Sequence, residues 1–220
     1  MNHLIGATLL ASLVILLLGY FLGCLNGSVM VSHFIIKDDV RQHGSGNAGL
    51  TNFYRTYGAK YALGVILFDM GKTVIACLIG GAAFDYLAGD WMLGVLLGGL
   101  GCELGHMFPV FFGFKGGKGV LVAGGTILAI QPVLIPFLAV IFLACLLPTG
   151  MVSLGSIAMA ASYPVLTLIY GLLKGFAAGD LIVCVVGAAI MGGMVIWMHR
   201  ANIQRIREGK EYRFGSRHKQ

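Results

Sequence analysis

A glycine-rich segment, residues 44–52, combines backbone freedom with neutral hydrogen-bond donors. It reads Gly-Ser-Gly-Asn-Ala-Gly-Leu-Thr-Asn, and Arg55 follows it. Glycines allow successive backbone amides to turn towards one point, and a helix that starts near Thr51 directs its positive end there. The density of donors favours an anion site over a flexible interfacial loop. The candidate binding residues of this segment are Ser45, Gly46, Asn47, Gly49, Thr51, Asn52 and Arg55.

A second segment, residues 105–120, places two lysines among glycines at the end of an apolar run. It contains Gly-His-Met-Phe-Pro and then Phe-Lys-Gly-Gly-Lys-Gly. Such a loop suits a phosphate, but lysines at helix ends also snorkel to the membrane surface and orient a span. The two interpretations are equally supported by this segment alone. Its candidate residues are Lys115, Gly116, Gly117 and Lys118, and His106 is expected to hydrogen-bond to another helix.

The third polar group follows the last apolar run. His199, Asn202 and Arg205 recur every three residues, so a helix there places them on one face. A basic juxtamembrane helix on anionic lipid is the alternative, and it explains the arginines but not His199 or Asn202. Ser153 lies near a predicted helix end.

The composition indicates that most of the surface faces lipid. Hydrophobic residues make up 58% of the 220 residues and charged residues 11%, whereas soluble domains carry about 25% charged residues. Because the basic residues flank apolar runs, the net charge of +6 indicates membrane orientation and anionic ligands rather than nucleic acid. Histidines and cysteines lack metal-ligand spacing, so we expect no metal and no cofactor.

The apolar runs predict an all-α, polytopic transmembrane bundle that forms a single domain over residues 1–220. The run 119–147 is long for one crossing, and Gln131, Pro132 and Pro136 are expected to interrupt it. A turn there gives seven spans, an external amino terminus and cytoplasmic basic segments, in agreement with the positive-inside rule. The predicted spans are residues 4–24, 61–84, 91–112, 119–147 (crossing twice), 151–173 and 181–198.

Charged residues inside the predicted spans leave a second class of function open. Asp69 and Lys72 have the spacing of helical neighbours and are expected to form an ion pair. Together with Glu103 and the glycine-rich spans, they are also compatible with a small transporter or channel for a phosphorylated metabolite. Transporters place their sites near mid-membrane, whereas the polar segments here lie at a predicted boundary. A scaffold would leave those segments unexplained.

The three segments together resemble the bacterial membrane acyl-phosphate:glycerol-3-phosphate acyltransferases. The resemblance rests on GSGNxGxTN (residues 44–52) with Arg55, GHxxP…FKGGKGV (105–120) and HRxNIxR…GxE (199–211), and it covers nearly the whole chain in order. Leu50 departs from the usual alanine, and Leu121 and Val122 replace the small and hydroxyl residues that often follow the second motif.

The resemblance implies acyl transfer from acyl phosphate to the 1-hydroxyl of glycerol 3-phosphate, giving lysophosphatidate and phosphate, the first acylation of phospholipid synthesis. It implies a multi-pass protein of the bacterial inner membrane with a cytoplasmic active site, and an acyl chain held in lipid or between spans. Residues 45–52 then cradle acyl phosphate beside Lys115, Gly116 and Gly117, with Ser45, Asn47, Lys118 and His199 as catalytic residues. Glycerol 3-phosphate is held by Arg55, Lys118, Ser153, His199 and Asn202. The proton goes to His199 or to a substrate phosphate oxygen.

Overall fold

The computed structural model describes residues 2–214, with side chains from residue 6 onwards. The described chain is helical, as predicted, and contains no strand within those residues. It divides into two compact units, Met1–Pro132 and Val133–Gln220. The expectation of a single domain stays a prediction. Residues 215–220 of the predicted basic tail lie outside the described residues.

The first unit is built from four long or medium helices and several short ones. Helices α1, α4 and α5 pack against one another, and α6 packs on α4 and α5. The short elements lie in the segments that connect them. The helices are α1 (Asn2–Cys24), α2 (Gly27–Met30), α3 (Leu50–Tyr57), α4 (Ala62–Ala88), α5 (Trp91–Met107) and α6 (Val120–Ile130), with a π-helical turn at Val31–Ile36 and 3-10 turns at Val40–Gln42 and Val110–Phe112.

Helices α1 and α5 approach each other through glycine. A Cβ atom at Gly101 would overlap the carbonyl oxygen of Leu16, and one at Gly105 would overlap that of Tyr20. Small residues are the usual means by which membrane helices bring their backbones together. The contact is completed at its end by Tyr20, whose hydroxyl donates to the carbonyl of Phe108 over 2.8 Å. This packing places the end of α5 beside the end of α1.

The second unit begins with α7 (Leu134–Thr149), which packs on α8 (Val152–Lys174), and α8 packs on α9 (Ala178–Met198). A Cβ at Gly192 would overlap the Ala160 carbonyl oxygen, so α8 and α9 also meet through a small residue. Helix α10 (Arg200–Arg207) follows α9 after His199.

The predicted interruption of the run 119–147 is confirmed at Gln131 and Pro132 but not at Pro136, which lies in the first turn of α7. A helix tolerates proline there because the N–H groups of its first turn have no partner within the helix. Helix α6 ends at Ile130 and α7 begins at Leu134, with Gln131 and Pro132 between them. Proline has no backbone N–H and cannot continue the helical hydrogen-bond ladder. Among the described residues, five helical segments are long and apolar enough to cross a membrane: Gly6–Ile36, Ala62–Ala88, Trp91–Phe112, Val152–Lys174 and Ala178–Met198. Helices α6 and α7 are apolar but shorter.

Candidate active site

The first glycine-rich loop, residues 44–49, is held in shape by Asn52 at the start of α3. The Asn52 amide donates to the carbonyls of Val40 and His43, each over 3.0 Å. Its side-chain oxygen accepts from the backbone N–H of Ser45 over 2.9 Å. Asn52 is buried, and these bonds use both ends of its carboxamide. The structure therefore gives Asn52 a role in shaping the loop, while its predicted contact with substrate stays a prediction.

Helix α3 begins where the sequence predicts, next to Thr51. It starts at Leu50 after Gly49, with no side chain capping its first turn among the described residues. The N–H groups of a first helical turn have no partner within their helix and carry the positive end of its dipole. Ser45 and Arg55 are exposed, and Asn47 and Thr51 are half-buried. The loop thus presents backbone and side-chain donors at an accessible surface.

The second glycine-rich loop, residues 113–119, folds back onto the end of α5. The N–H of Gly117 donates to the carbonyl of His106 over 3.0 Å. A Cβ at Gly116 would overlap that same carbonyl oxygen, and a Cβ at Gly117 would overlap Nε2 of the His106 ring. Only residues without a side chain fit this close approach. The loop therefore needs both glycines to hold its path across His106.

Helix α6 starts directly after this loop. Its N-cap, Gly119, has a left-handed backbone with φ of 83°, and no side chain caps the first turn in the described part of the chain. Lys115 is exposed and Lys118 half-buried. The second loop therefore ends, like the first, at the positive end of a helix, and here two cations accompany it.

The two loops contact each other at Gly116. Its carbonyl accepts from the Ala48 N–H over 3.3 Å and from the Asn47 carboxamide over 3.4 Å. The structure thus brings together segments that are separated by 69 residues. Within the first unit, the predicted residues of the first two motifs form one candidate site, which we call the double-loop site (residues 44–55 and 113–119).

Arg41 connects the segment before the first loop to the segment before the second loop. Its guanidinium forms a bidentate ion pair with Asp39, with the closest contact at 2.8 Å. It also donates to the carbonyl of Phe112 over 2.9 Å. Hydrogen bonds from Arg41 hold the pKa of the Asp39 carboxyl below its ordinary value although burial opposes this. Asp39 thus remains an anion that orients the guanidinium.

Tyr57, the last residue of α3, contacts the segment that precedes the first loop. Its hydroxyl donates to Asp38 over 2.9 Å, and His43 contacts the same carboxyl group at 2.8 Å. Burial and then the hydrogen bond to Asp38 raise the pKa of Tyr57 to about 12. Tyr57 is therefore neutral at physiological pH and serves as a donor that fixes the end of α3.

The predicted ion pair between Asp69 and Lys72 is confirmed inside the first unit. The ammonium of Lys72 lies 2.8 Å from Asp69 Oδ1 and also donates to the carbonyls of Gly23 and Leu25. Both side chains are buried. Glu103 is also buried, and neither of its carboxyl oxygens has a hydrogen-bond partner among the described residues.

The second unit contains a separate polar group, the Glu211 group, around one carboxylate. Oε1 of Glu211 accepts from the Ser153 hydroxyl over 2.7 Å and from the Asn202 amide over 2.6 Å. Oε2 accepts from Arg205 over 2.8 Å. Burial alone would raise the pKa of Glu211, but the hydrogen bonds from Asn202, Ser153 and Arg205 lower it below its ordinary value. Asn202 and Arg205 thus share a face, as predicted.

The sequence reasoning did not identify Glu211 as the centre of this group. The residue stood in the third motif, but its contact with Ser153 spans 58 residues, which no local pattern reveals. The predicted residue His199 is buried, and its Nδ1 lies 2.7 Å from the Val195 carbonyl. A carbonyl only accepts, so Nδ1 carries a proton, and a neutral ring then has its lone pair at Nε2.

Comparison with known proteins identifies the family. Residues 13–209 match a family model described as glycerol-3-phosphate acyltransferase. The chain belongs to the glycerol-3-phosphate acyltransferase family. A glycerol-3-phosphate acyltransferase of Finegoldia magna is 37% identical over 196 residues, covering 89% of this chain and 92% of its own.

Two solved structures of a family member named PlsY, an integral membrane glycerol 3-phosphate acyltransferase, are also similar. Its glycerol 3-phosphate form is 36% identical with a TM-score of 0.76, covering 93% of this chain and 96% of its own. Its lysophosphatidic acid form is 35% identical with a TM-score of 0.75, covering 93% and 95%. The similarity therefore extends over more than nine-tenths of each chain.

Membership of an acyltransferase family removes the main support for a transporter. That alternative relied on the intramembrane charges Asp69, Lys72 and Glu103. The first two neutralise each other in an ion pair, and the polar loops at residues 44–55 and 113–119 contain the motifs that resemble this family.

Proposed function

We propose that this protein transfers an acyl group from acyl phosphate to the 1-hydroxyl of glycerol 3-phosphate, giving lysophosphatidate and inorganic phosphate for phospholipid synthesis. The observation that carries the proposal is the double-loop site, in which two glycine-rich loops meet at Gly116. Each loop leads into the positive end of a helix, which suits phosphate. The glycerol 3-phosphate and lysophosphatidic acid forms of the similar structures match the proposed acceptor and product.

The reaction needs little covalent chemistry from the protein. The 1-hydroxyl oxygen attacks the acyl carbon, the bond to the phosphate oxygen breaks, and the hydroxyl proton passes to a base. Because acyl phosphate is already activated, positioning and electrostatic stabilisation supply the acceleration. We assign to the departing phosphate the side chains of Ser45 and Asn47 and those backbone amides of residues 45–52 that do not already donate within the protein. The N–H groups of Ser45, Gly46 and Ala48 donate to Asn52, His43 and Gly116 and shape the loop instead. Lys115, Gly116 and Gly117 lie on the second loop and serve the same phosphate.

Glycerol 3-phosphate requires cations and neutral donors of its own. Arg55 and Lys118 are the proposed phosphate ligands in the first unit, since a guanidinium and an ammonium both bind phosphate. Ser153, His199 and Asn202 remain proposed ligands on the grounds of their chemistry and of the family motif. The Nε2 lone pair of a neutral His199 accepts a proton, and a substrate phosphate oxygen is the alternative acceptor.

The donor is tested with the purified protein. Glycerol 3-phosphate is supplied with acyl phosphate, acyl-CoA or acyl carrier protein in turn, and lysophosphatidate is measured. We expect product from acyl phosphate alone. Product from acyl-CoA or acyl carrier protein but not from acyl phosphate would contradict the proposed donor while leaving the acceptor intact.

We also propose seven crossings of a bacterial inner membrane, with the amino terminus outside and the double-loop site at the cytoplasmic face. The distribution of lysine and arginine supports this orientation. Helices α6 and α7 have 11 and 16 residues, or roughly 16 and 24 Å at the helical rise. They are therefore short relative to the ~30 Å hydrocarbon core.

Single cysteines test the orientation in a background that lacks the native ones. Ala48 is fully buried, so the exposed positions Ser45 and Gln204 are used. Ser45→Cys and Gln204→Cys should resist an impermeant reagent in intact cells and react after permeabilisation. Tyr86 in the last turn of α4 is 91% exposed, and Tyr86→Cys should react from outside as the positive control. Labelling of Ser45→Cys or Gln204→Cys in intact cells would contradict the seven-span orientation.

A further inference from the structure

A buried polar cluster lies directly beneath the double-loop site. It consists of Asn26 after α1, Asp69 and Lys72 on α4, and His106 on α5, all of them buried. Polar groups removed from water cost free energy unless they are hydrogen-bonded, and charged residues within apolar helices usually have a function. The proposed mechanism does not use this cluster.

The orientation of Asn26 is fixed by two backbone contacts. Its side-chain oxygen accepts from the N–H of Val29 over 3.0 Å, so its nitrogen is the end that faces the first loop. That nitrogen donates to the carbonyl of Ala48 over 3.0 Å and lies 3.4 Å from Nδ1 of His106. Asn26 therefore connects the first loop to His106.

His106 is surrounded by donors at Nδ1. The nearest polar atoms are Lys72 Nζ at 3.3 Å and Asn26 Nδ2 at 3.4 Å, and both are donors only. The Asp69 oxygen is farther away, at 3.6 Å. Nδ1 is therefore the acceptor, and the ring proton lies on Nε2, on the side where Gly117 packs.

These contacts form a closed series of hydrogen bonds and close contacts that connects both loops. Asn26 holds the Ala48 carbonyl, the Ala48 N–H donates to Gly116, and Gly117 donates to the backbone carbonyl of His106. The series closes at Nδ1 of His106, which lies 3.4 Å from Nδ2 of Asn26. Lys72 supports it by bonding to the carbonyls of Gly23 and Leu25 at the end of α1.

We propose that Asn26, Asp69, Lys72 and His106 form a positioning cluster that fixes the two glycine-rich loops relative to each other for acyl transfer. The proposal rests on the proposed function of the double-loop site. None of the four is assigned to substrate. Asn26 and His106 act through the loop backbones, and the Asp69–Lys72 pair holds His106 and the end of α1. Displacement of catalytic groups by about 1 Å lowers rates by about 10²-fold.

A charge-neutral double variant separates positioning from simple stabilisation. Asp69→Asn and Lys72→Met each leave one buried charge without its partner, and both should lower the thermal midpoint strongly. Asp69→Asn with Lys72→Met removes both charges and should recover much of that midpoint. Its kcat should still be about 10- to 100-fold below wild type, because methionine donates nothing to His106 or to the α1 carbonyls. A folded double variant with kcat within about threefold of wild type would overturn the proposal.

His106 offers a second, independent test. Asn places an acceptor near the position of Nδ1, whereas Gln places its polar group near Nε2, where Gly117 packs. His106→Asn should therefore retain at least about tenfold more kcat than His106→Gln, with the difference mainly in kcat rather than in either KM. Equal kcat in the two variants would overturn the assignment of Nδ1, even where the double variant fails to fold.

The control is Thr126→Val on α6. Thr126 is buried; its hydroxyl donates to the carbonyl of Val122 in its own helix and lies 3.8 Å from Cys77 Sγ on α4. Neither partner belongs to the positioning cluster or to the loops, so kcat should stay within about twofold of wild type. Wild-type protein assayed in parallel separates the two proposals. No product from wild type with acyl phosphate contradicts the proposed function, whereas normal product with unaffected variants contradicts only the positioning cluster.

Discussion

The double-loop site and the Glu211 group are built from different polar groups of the protein. The first consists largely of backbone amides, and its geometry depends on glycines that pack against His106. The second consists of side chains, and its geometry depends on one carboxylate that accepts from Ser153, Asn202 and Arg205. A backbone site is sensitive to any added side chain, whereas a side-chain site is sensitive to the loss of its central partner.

The largest effect is expected where a side chain is added to the backbone site. In Gly117→Ala the new Cβ overlaps the His106 ring, so the loop must move and its donors are misplaced. Steady-state assays should show kcat lowered by roughly 10²–10³-fold, the range for loss of one preorganised donor. Gly124→Ala is the matched control, because its Cβ meets only ordinary contact with Met70. Similar activity in the two variants would show that the packing of Gly117 does not matter.

A smaller, pH-dependent effect is expected in the Glu211 group. Because the folded-state pKa of Glu211 lies below its ordinary value, the carboxylate stabilises the fold above about pH 4.5. That stabilisation disappears as the pH falls through the folded-state pKa. Glu211→Gln should therefore lower the unfolding free energy by about 1–2 kcal/mol at pH 7.

The difference between Glu211→Gln and wild type should shrink as the pH falls below about 4.5. Thermal unfolding of both proteins across that range measures it. A difference that is constant with pH would mean that the charge of Glu211 contributes nothing, and that the group depends on shape alone.

No effect at all is expected from removal of divalent metal ions. Among the described residues, no three His, Cys, Asp or Glu side chains form a cluster suited to a metal, and the proposed chemistry uses amides and cations of the protein. Activity should be unchanged after treatment with a chelator. Activity that is lost on chelation and restored by a divalent ion would contradict the proposed electrostatics of both regions.

The sequence predicts the parts of this molecule that depend on local pattern. The start of α3 near Thr51, the interruption at Gln131 and Pro132, and the Asp69–Lys72 pair all follow from residues close in sequence. Each depends on a local rule, such as helical spacing or the missing N–H of proline.

The contacts that the sequence does not predict join distant residues. Asn26 reaches His106 across 80 residues, and Ser153 reaches Glu211 across 58. Such contacts depend on how helices pack, which hydrophobic periodicity does not specify. For the same reason the sequence does not predict the bonds by which the Asn52 carboxamide shapes its loop, while the predicted contact of Asn52 with substrate stays a prediction.

The most direct test of the double-loop site compares Asn47→Ala with Lys118→Ala. Asn47 is assigned to the departing phosphate, so its loss should lower kcat by roughly 10²–10³-fold. Lys118 is assigned to glycerol 3-phosphate, so its loss should raise KM for that substrate and also lower kcat where the acceptor is misplaced. Steady-state kinetics on monodisperse, purified variants, with each substrate varied separately, measures both. Near-normal kcat and KM in both variants would contradict the site and leave the two loops as signals for membrane orientation.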